Sequence, residues 1–393
     1  MEQEAIDNLI VLGFAMAGTA AVPALLPWLI LPGAVLEIVL GAVIGPQILG
    51  LARPDAILGF LSDFGLGVLF LIAGFEIEPG TLRGRPIRNA AAGWGLSLAI
   101  ALYAGFVLTA TGRAQSALLT ALALSTSAVG LLIPMLRDSK QIDTPYGAMV
   151  LAAGAVGEGT PLFILPVISA HQGGAELQAI IMAAFAASGA LAIMLASHAS
   201  HGAFASVMDR TMKTSGQLPM RLALCLLIFL IVVAERFEID FVLGAFVAGA
   251  VVRAALPARE IKAMAARLDG IGSAFFVPVF FLTSGMRLDV GMLTSSPGAL
   301  AMAGVYALLM LTVRGVPALA LYSRDLSMRH CMALALHSST QLALVIAIAA
   351  IAMRRGQMAS DQAAALVSGA VLTVLLFPAL AARVLPRPSP WPF

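Results

Sequence analysis

The sequence predicts an all-α polytopic membrane protein of about thirteen transmembrane helices, and three observations support this prediction. Of the 393 residues, 60% are hydrophobic and only 11% are charged, whereas soluble domains carry roughly 25% charged residues. The mean hydropathy of +0.97 reflects the same excess of apolar side chains. Apolar stretches of about 20 residues, long enough to cross a bilayer, follow one another along the chain. The net charge of +2 gives no indication of nucleic acid as a partner.

Turn-forming residues such as Pro79-Gly80 and Gly173-Gly174 separate the predicted spans. The N-terminal segment is acidic, unlike a cleaved signal peptide, so we expect the first span to be retained. In order, the spans are 6–28, 31–50, 56–77, 87–111, 115–136, 145–169, 178–199, 218–236, 240–256, 270–287, 298–322, 329–352 and 362–384.

The basic residues are distributed unequally between the two sides of the membrane that these spans define. Of the 23 Lys and Arg residues, 16 fall on one side, 6 on the other and one, Arg314, inside a span. Cytoplasmic loops carry an excess of Lys and Arg. The sequence therefore predicts that the N-terminus lies outside and the C-terminus lies in the cytoplasm.

Three pieces of sequence recur in the same order in the two halves of the chain. They are LGAVIG (40–45) with LGAFVAG (243–249), VLFLIAGFEIEPGTL (68–82) with VFFLTSGMRLDVGML (279–293), and ALALSTS (121–127) with ALALHSS (333–339). Each pair of matching spans is seven spans apart, an odd number, so the two copies cross the membrane in opposite directions. Such inverted-topology repeats are typical of secondary transporters. The repeats cover about 6–169 and 218–385, and the span 178–199 links them.

Hydroxyl-rich segments interrupt the fifth and twelfth spans at matching positions of the repeat. Lipid tolerates a broken backbone only where it is buried in protein or lines a cavity, and half-helix ends meeting at midplane present their dipoles to an ion. The segments therefore predict two broken helices along an ion pathway. The alternative is that the hydroxyls bond back to their own helix or join neighbouring helices. The residues are Ser125, Thr126, Ser127, Ser338, Ser339, Thr340 and Gln341.

Two charged residues lie deep inside predicted spans. Glu158 is about fourteen residues into the sixth span, with Gly157 and Gly159 beside it. Intramembrane carboxylates are costly and mark ion or proton pathways, although a neighbouring cation or a bound proton also explains one. Arg314 lies near the middle of the eleventh span and stays charged. It must meet a carboxylate, helix C-terminal ends or water, unless it snorkels to an interface. The other acidic residues fall near span ends, where we expect interfacial roles: Glu37, Asp63, Glu76, Glu78, Asp269 and Asp289.

Five segments resemble, in order and spacing, those of one known transporter family. They are LPGAVLEIVLGAVIGPQILGL (31–51), LFLIAGFEIEP (69–79), ALALSTSAVGLLIPMLRD (121–138), LGAFVAGAVVR (243–253) and FFVPVFFLTSGMRLD (275–289). With them the chain is similar, over nearly its whole length, to the membrane part of the monovalent cation:proton antiporter superfamily. The resemblance is to the branch of bacterial sodium/proton and potassium-efflux antiporters.

The resemblance implies that the fourth to sixth and eleventh to thirteenth spans form an ion-carrying core. The remaining spans would form a panel that makes a homodimer in the inner cell membrane. Glu158 occupies the position of the family carboxylate, which is usually Asp preceded by Asn, Asp or Gln, where this chain has Gly157. Arg314 matches the family's basic residue. The nucleotide-binding domain of potassium-efflux members is not expected, so we expect one transmembrane transporter domain over residues 1–393.

The expected function is antiport of a monovalent cation, Na+ or K+, against H+, without a cofactor and without net charge movement. Glu158 would bind either the proton or the cation, the hydroxyls and Gln341 of the two breaks would supply neutral ligands, and Arg314 would offset the charge of Glu158 or of half-helix ends. One alternative is a sodium-coupled organic-anion symporter with inverted repeats. The other is a membrane scaffold or sensor. Enzymatic activity is not expected, since nucleotide-loop, nucleophile-elbow and Cys/His metal motifs are missing from the sequence.

Overall fold

A computed structural model describes residues 2–25, 33–76, 84–169, 175–199, 203–212, 217–237, 241–287, 297–354 and 356–385. All regular secondary structure in these residues is helical, as the sequence predicts. The helices are α1 (Glu2–Leu25), α2 (Gly33–Ile44), α3 (Ala56–Glu76), α4 (Arg85–Ala110), α5 (Ala117–Leu124), α6 (Val129–Asp138), α7 (Pro145–Ser169), α8 (Ala175–Ala199), α9 (Ala203–Met212), α10 (Leu218–Arg236), α11 (Phe241–Ala255), α12 (Ala258–Ile271), α13 (Val277–Met286), α14 (Pro297–Tyr322), α15 (Met328–Ser338), α16 (Ala343–Arg354) and α17 (Ser360–Val384).

Each predicted span contains a helix, and the fifth and twelfth spans each contain two. Among the described residues, eight helices are long and apolar enough to cross a membrane by length and composition. Shorter apolar helices accompany them, and the count of thirteen crossings stays a prediction. The predicted turns at Pro79-Gly80 and Gly173-Gly174 lie outside the described residues.

Two helices, α9 and α12, lie in segments that were predicted to connect spans. The α12 helix buries Met264 and Leu268 on one face and exposes Arg259 and Lys262 on the other, the 3.6-residue periodicity of a surface helix. It continues through a π-helical turn, Gly272–Phe276, into α13. The tenth predicted span is therefore the second half of a longer helix.

The α2 helix ends at Ile44, six residues before the predicted end of the second span. Pro46 follows closely, and a proline disfavours helical backbone at the residue before it and donates no N–H. A tight turn replaces the helix, in which the Gly50 N–H donates to the Gly45 carbonyl at 2.8 Å. Gly50 has a φ of 63° there, which a glycine adopts without strain.

The chain divides into two compact units. One contains Met1–Thr19, Glu37–Glu78 and Pro166–Arg287, and the other contains Ala20–Leu36, Pro79–Leu165 and Leu288–Phe393. The second unit holds α4 to α6, nearly all of α7, and α14 to α17. These are the helices of the six spans that the resemblance assigns to the ion-carrying core.

Close helix contacts in the first unit occur twice, in the same arrangement. Gly41 on α2 and Gly285 on α13 face each other so closely that a Cβ on either would overlap backbone atoms of the other helix. Gly74 on α3 and Gly249 on α11 are packed in the same way. In the predicted repeat α2 matches α11 and α3 matches α13, so the two contacts join equivalent helix pairs. The packing therefore follows the predicted pairing of the helices, and the opposite orientation of the two copies stays a prediction.

Candidate functional site

Both predicted helix breaks are confirmed, and both lie in the second unit. The α5 helix ends at Leu124 and α6 begins at Val129, whereas α15 ends at Ser338 and α16 begins at Ala343. In the first break the Ser125 hydroxyl donates to the Leu122 carbonyl at 2.9 Å. Hydroxyls that bond to nearby carbonyls compete with the helical hydrogen bonds, which is why such segments can leave the helix.

The two breaks contact each other directly. The Ala128 N–H donates to the Thr340 carbonyl at 3.0 Å, and these residues are 212 positions apart, the offset of the two hydroxyl segments. The Thr126 hydroxyl donates to Gln341 Oε1 at 2.9 Å, while Gln341 Nε2 donates to the Leu124 carbonyl at 3.0 Å. Equivalent positions of the repeat thus meet at the centre of the pair of broken helices.

The carboxylate of Glu158 lies at the first break. Glu158, on α7, is only 5% exposed, and its Oε2 accepts the N–H of Val129 at 2.7 Å. Val129 is the first residue of α6, where unpaired N–H groups and the helix dipole favour a negative charge. The carbonyl of Gly157 accepts the N–H of Ser127 at 3.2 Å. Two hydrogen bonds therefore fix this part of α7 against the break.

Arg314, on α14, is 4% exposed, and oxygen acceptors surround its guanidinium. Its Nε donates to the Ser127 hydroxyl at 3.0 Å and to the Ser338 carbonyl at 3.4 Å. Its Nη2 donates to the Ala153 carbonyl at 2.9 Å, and Nη1 donates to the Ser97 hydroxyl at 3.4 Å. Packing of α14 against α4, α15 and α17 places the guanidinium at this position.

The sequence left a carboxylate, a helix C-terminal end or water as the partner of Arg314. In the structure, the guanidinium contacts the C-terminal end of a helix. Ser338 is the last residue of α15, so its carbonyl belongs to the negative end of that half-helix. Snorkelling to an interface is excluded by the burial of the side chain. Within the described part of the chain, the hydrogen bonds and ion pairs of Arg314 do not include Glu158.

The predicted neutral ligands are all buried at the two breaks. The hydroxyls of Thr126 and Ser127 both reach the other break, and that of Ser127 donates to the Ser338 carbonyl at 2.6 Å. A hydroxyl that donates its hydrogen to a carbonyl still has oxygen lone pairs that can bind a cation. A hydrogen bond to a carbonyl of the same helix is therefore compatible with binding of the ion. The hydroxyls that donate to a carbonyl of their own helix are those of Ser125, Thr126, Ser338, Ser339 and Thr340.

Thr373, on α17, is a site residue that was not predicted. Its hydroxyl is completely buried and accepts the N–H of Gln341 at 3.1 Å. Gln341 is equivalent to Val129 in the repeat, at the offset of 212 residues. Thr373 therefore meets the second break as Glu158 meets the first. A single threonine in an apolar span carries no signal by itself, and the offset of 212 residues pairs Glu158 with Ala370, one helical turn before Thr373, so the repeat did not indicate it either.

A second unpredicted contact joins α7 to the half-helix α15. The Tyr146 hydroxyl and His337 Nδ1 are 2.8 Å apart, and both side chains are buried. The ring of Tyr146 also lies 5.2 Å from that of His330. His337 directly precedes the second hydroxyl-rich segment, and no sequence pattern indicated Tyr146 as its partner.

Acidic residues are scarce in the helices of the second unit. In the described ranges of α4 to α7 and α14 to α17 they are Glu158, Asp138 at the end of α6, and Asp361 in the first turn of α17. Glu158 alone among these three lies in a helix interior. Glu78 and Asp289, which were predicted near span ends, lie outside the described residues.

Comparison with known proteins agrees with this architecture. A family model for the transmembrane sodium/hydrogen exchangers matches residues 14–385. A Bacillus subtilis protein named as a sodium/proton antiporter (YjbQ) is 26% identical over 365 residues, which cover 88% of this chain and 58% of that protein. A Methanocaldococcus jannaschii protein named as sodium/proton antiporter 3 is 27% identical over 276 residues, or 68% of this chain and 69% of that one.

The fold also has a match among solved structures. The structure of the sodium proton antiporter MjNhaP1 from Methanocaldococcus jannaschii aligns with a TM-score of 0.62 over 97% of this chain and 98% of that one, at 16% identity. That likeness shows a shared fold. The chain spans 58% of the length of the Bacillus relative, so the activity of the whole relative does not transfer directly. Because the family model covers nearly the whole sequence, the chain is a multi-pass membrane protein that belongs to the family of transmembrane sodium/hydrogen exchangers.

Proposed function

We propose that the protein is a secondary antiporter that exchanges a monovalent cation, Na+ or K+, for H+ at Glu158. The observation that carries this proposal is a buried carboxylate at the N-terminus of a half-helix, 2.7 Å from the Val129 N–H. A cation and a proton both bind the carboxylate oxygens, so one must leave before the other binds. Membership of the exchanger family and the names of the relatives support exchange as the activity.

The breaks supply an environment in which a cation can lose part of its hydration shell. Carboxylate, carbonyl and hydroxyl oxygens are the ligands that hard cations prefer, and the two breaks bring several of them together inside the protein. Ser127 is a neutral candidate held beside α7, since its N–H is bonded to the carbonyl of Gly157, the residue before Glu158. Arg314 contributes a fixed positive charge on the α15 end, and it exchanges no proton at ordinary pH.

The exchange is electroneutral in this mechanism. Glu158 is the one acidic residue in a helix interior among the described helices of the second unit. With a single titrating carboxylate, each half-cycle carries one positive charge, whichever ion occupies the site. One cation then leaves for each proton that enters.

The proposed setting is the inner membrane of a bacterial cell, with the N-terminus outside and the C-terminus in the cytoplasm. The distribution of Lys and Arg supports this orientation. A homodimer formed through the first unit is the assembly that the family resemblance implies. In the mechanism that this resemblance implies, the ion-carrying core moves against the panel and exposes the carboxylate to either side of the membrane in turn.

The test is cation-driven proton flux in vesicles that contain the purified protein. Lithium, sodium, potassium and rubidium are added in turn while a pH-sensitive dye reports the internal pH. The proposal expects flux with at least one of these ions and none with Glu158→Gln, which retains the side-chain shape but releases no proton. Uptake of a labelled organic anion without proton flux would support the symporter instead. If the folded protein moves neither, the scaffold or sensor becomes the better interpretation.

A further inference from the structure

Because Gly157 has no side chain, the guanidinium of Arg314 packs closely against the backbone of α7 at this residue. A Cβ at Gly157 would lie 2.6 Å from Arg314 Nη2 and 2.8 Å from the Ser127 hydroxyl. These distances are shorter than real Cβ contacts, so any other residue forces a movement. A Cβ at Gly159, two residues further along the same helix, would have no such atom within 4 Å. The space is therefore specific to the side of α7 that faces Arg314.

The room at Gly157 determines which acceptors the guanidinium reaches. Nη2 passes Gly157 and donates to the carbonyl of Ala153, one helical turn earlier, at 2.9 Å. Nε donates to Ser127 and to the terminal carbonyl of α15. Backbone carbonyls and hydroxyls thus accept the hydrogen bonds of the guanidinium. They do so although the residue that follows Gly157 on α7, Glu158, carries a carboxylate.

We infer that Gly157 is a positioning residue that keeps the fixed charge of Arg314 off the transport carboxylate. A side chain at this position would push Nη2 away from the Ala153 carbonyl and crowd the Ser127 hydroxyl that accepts from Nε. A buried guanidinium then needs another acceptor. The carboxylate of Glu158 is the strongest acceptor available, because charge-assisted pairs of Arg and carboxylate are short and often bidentate. The transported cation would then have to break an ion pair before it could bind.

This inference rests on the proposed function and deepens it, since it makes the residue at position 157 a determinant of cation affinity. A bulky residue there is expected to weaken cation binding more than it slows turnover. We therefore expect the KM for the cation to rise and the maximal rate to change less. This is the kinetic effect of a loss of substrate binding.

The decisive comparison is Gly157→Ala against Gly159→Ala, the same substitution on the same helix where there is open space. In the vesicle assay, Gly157→Ala is expected to raise the cation KM by about tenfold or more, whereas Gly159→Ala stays within about twofold of the wild type. Equal KM values for the two variants would overturn the inference. The comparison is made on proteins that elute as single symmetrical peaks in detergent.

The double variant Gly157→Ala/Arg314→Lys shows whether the defect acts through Arg314. Lysine lacks the planar fork of the guanidinium, so it removes the Nη2 contact with a Cβ at position 157. The contact that remains is with the Ser127 side chain, whose hydroxyl can rotate. Adding Gly157→Ala to Arg314→Lys should therefore change the KM by less than about twofold. If Gly157→Ala alone does not fold, a folded double variant with the KM of Arg314→Lys supports the inference. A double variant that is as defective as Gly157→Ala, or that does not fold, overturns it.

A readout independent of transport separates this inference from the proposed function. A hydrophobic carbodiimide modifies protonated carboxylic acids, and an ion pair with Arg314 keeps Glu158 ionised. Peptide mass spectrometry is expected to show Glu158 modified at least about threefold more slowly in Gly157→Ala than in Gly159→Ala. Equal rates would overturn the inference whatever the transport data show. If the wild type exchanges no cation, the proposed function fails and the labelling rates alone decide the inference.

Discussion

The length of the side chain at position 158 tests the bond between the carboxylate and the start of α6. Glu158→Asp keeps a titrating carboxylate but withdraws it by one methylene, about 1.5 Å. The present distance from Oε2 to the Val129 nitrogen is 2.7 Å. Without a movement of α7, the Asp oxygens lie beyond the 3.2 Å limit of ordinary N–H···O bonds. The Val129 N–H would then lose its acceptor inside the protein.

The size of the effect follows from the charge on the acceptor. Hydrogen bonds to charged groups contribute about 1.5–3 kcal/mol, and each 1.4 kcal/mol corresponds to about a tenfold change in an equilibrium constant. The bond is stronger to the ionised carboxylate, which binds the cation, than to the protonated acid. Glu158→Asp should therefore raise the cation KM by roughly ten- to a hundredfold, while exchange persists.

Glu158→Gln is the matched control, because it retains the length and an acceptor for Val129 but cannot release a proton. We expect this variant to fold with a thermal midpoint close to that of the wild type and to show no exchange. Both variants are assayed in vesicles for cation-driven proton flux and in detergent for thermal unfolding. A wild-type KM in Glu158→Asp would refute the role of the Val129 bond. Normal flux in Glu158→Gln would remove Glu158 from the mechanism.

Three further predictions concern charge movement, topology and acid stability. At a fixed pH difference, a potential imposed with potassium and valinomycin should leave the equilibrium cation ratio unchanged, although it acts at about 2.3 kcal/mol per charge per 100 mV when charge moves; any shift means that a second charge is transported. A cysteine at Gly173, outside the described residues, should react with an impermeant reagent from the external side, and a tag after Phe393 should be cytoplasmic; labelling from the inner side alone contradicts the orientation. Burial acts to raise the pKa of Asp55, but hydrogen bonds from the Leu58 N–H and the Asn8 amide outweigh it and lower the pKa below its ordinary value. Its stabilisation is therefore present above that ordinary pKa and lost as the pH falls through the lowered one, so Asp55→Asn should lower Tm at neutral pH and have little effect in strong acid.

The membrane helices could be predicted because lipid leaves few alternatives. A spanning segment must satisfy its backbone hydrogen bonds internally, so a long apolar stretch is a helix. The amphipathic α9 and α12 escape such a search, since they are 10 and 14 residues long and carry charges. The end of α2 at Ile44 was placed too late because hydropathy does not change at the Gly45-Pro46 turn, whereas the backbone chemistry does.

The part of the site that could be predicted consists of polar side chains in apolar membrane spans. Glu158 and the hydroxyl-rich breaks are polar groups in apolar spans, which the sequence displays directly. The environment of Arg314 is different, because two of its acceptors are the backbone carbonyls of Ala153 and Ser338. Every residue has such a carbonyl, so only the three-dimensional structure can show which ones face the guanidinium. The same holds for the room at Gly157, which depends on a side chain 157 residues further along the chain.

The two breaks share a backbone arrangement but differ in the acceptor that each receives from a neighbouring helix. The Val129 N–H meets a carboxylate, and the equivalent Gln341 N–H meets the hydroxyl of Thr373. A buried N–H requires an acceptor, but it does not require a charged one. The hydroxyl therefore satisfies the second break as fully as Glu158 satisfies the first, without adding a titrating group. In the proposed mechanism, the number of protons exchanged per cycle thus depends on two side chains, one on α7 and one on α17, and not on the repeat that positions them.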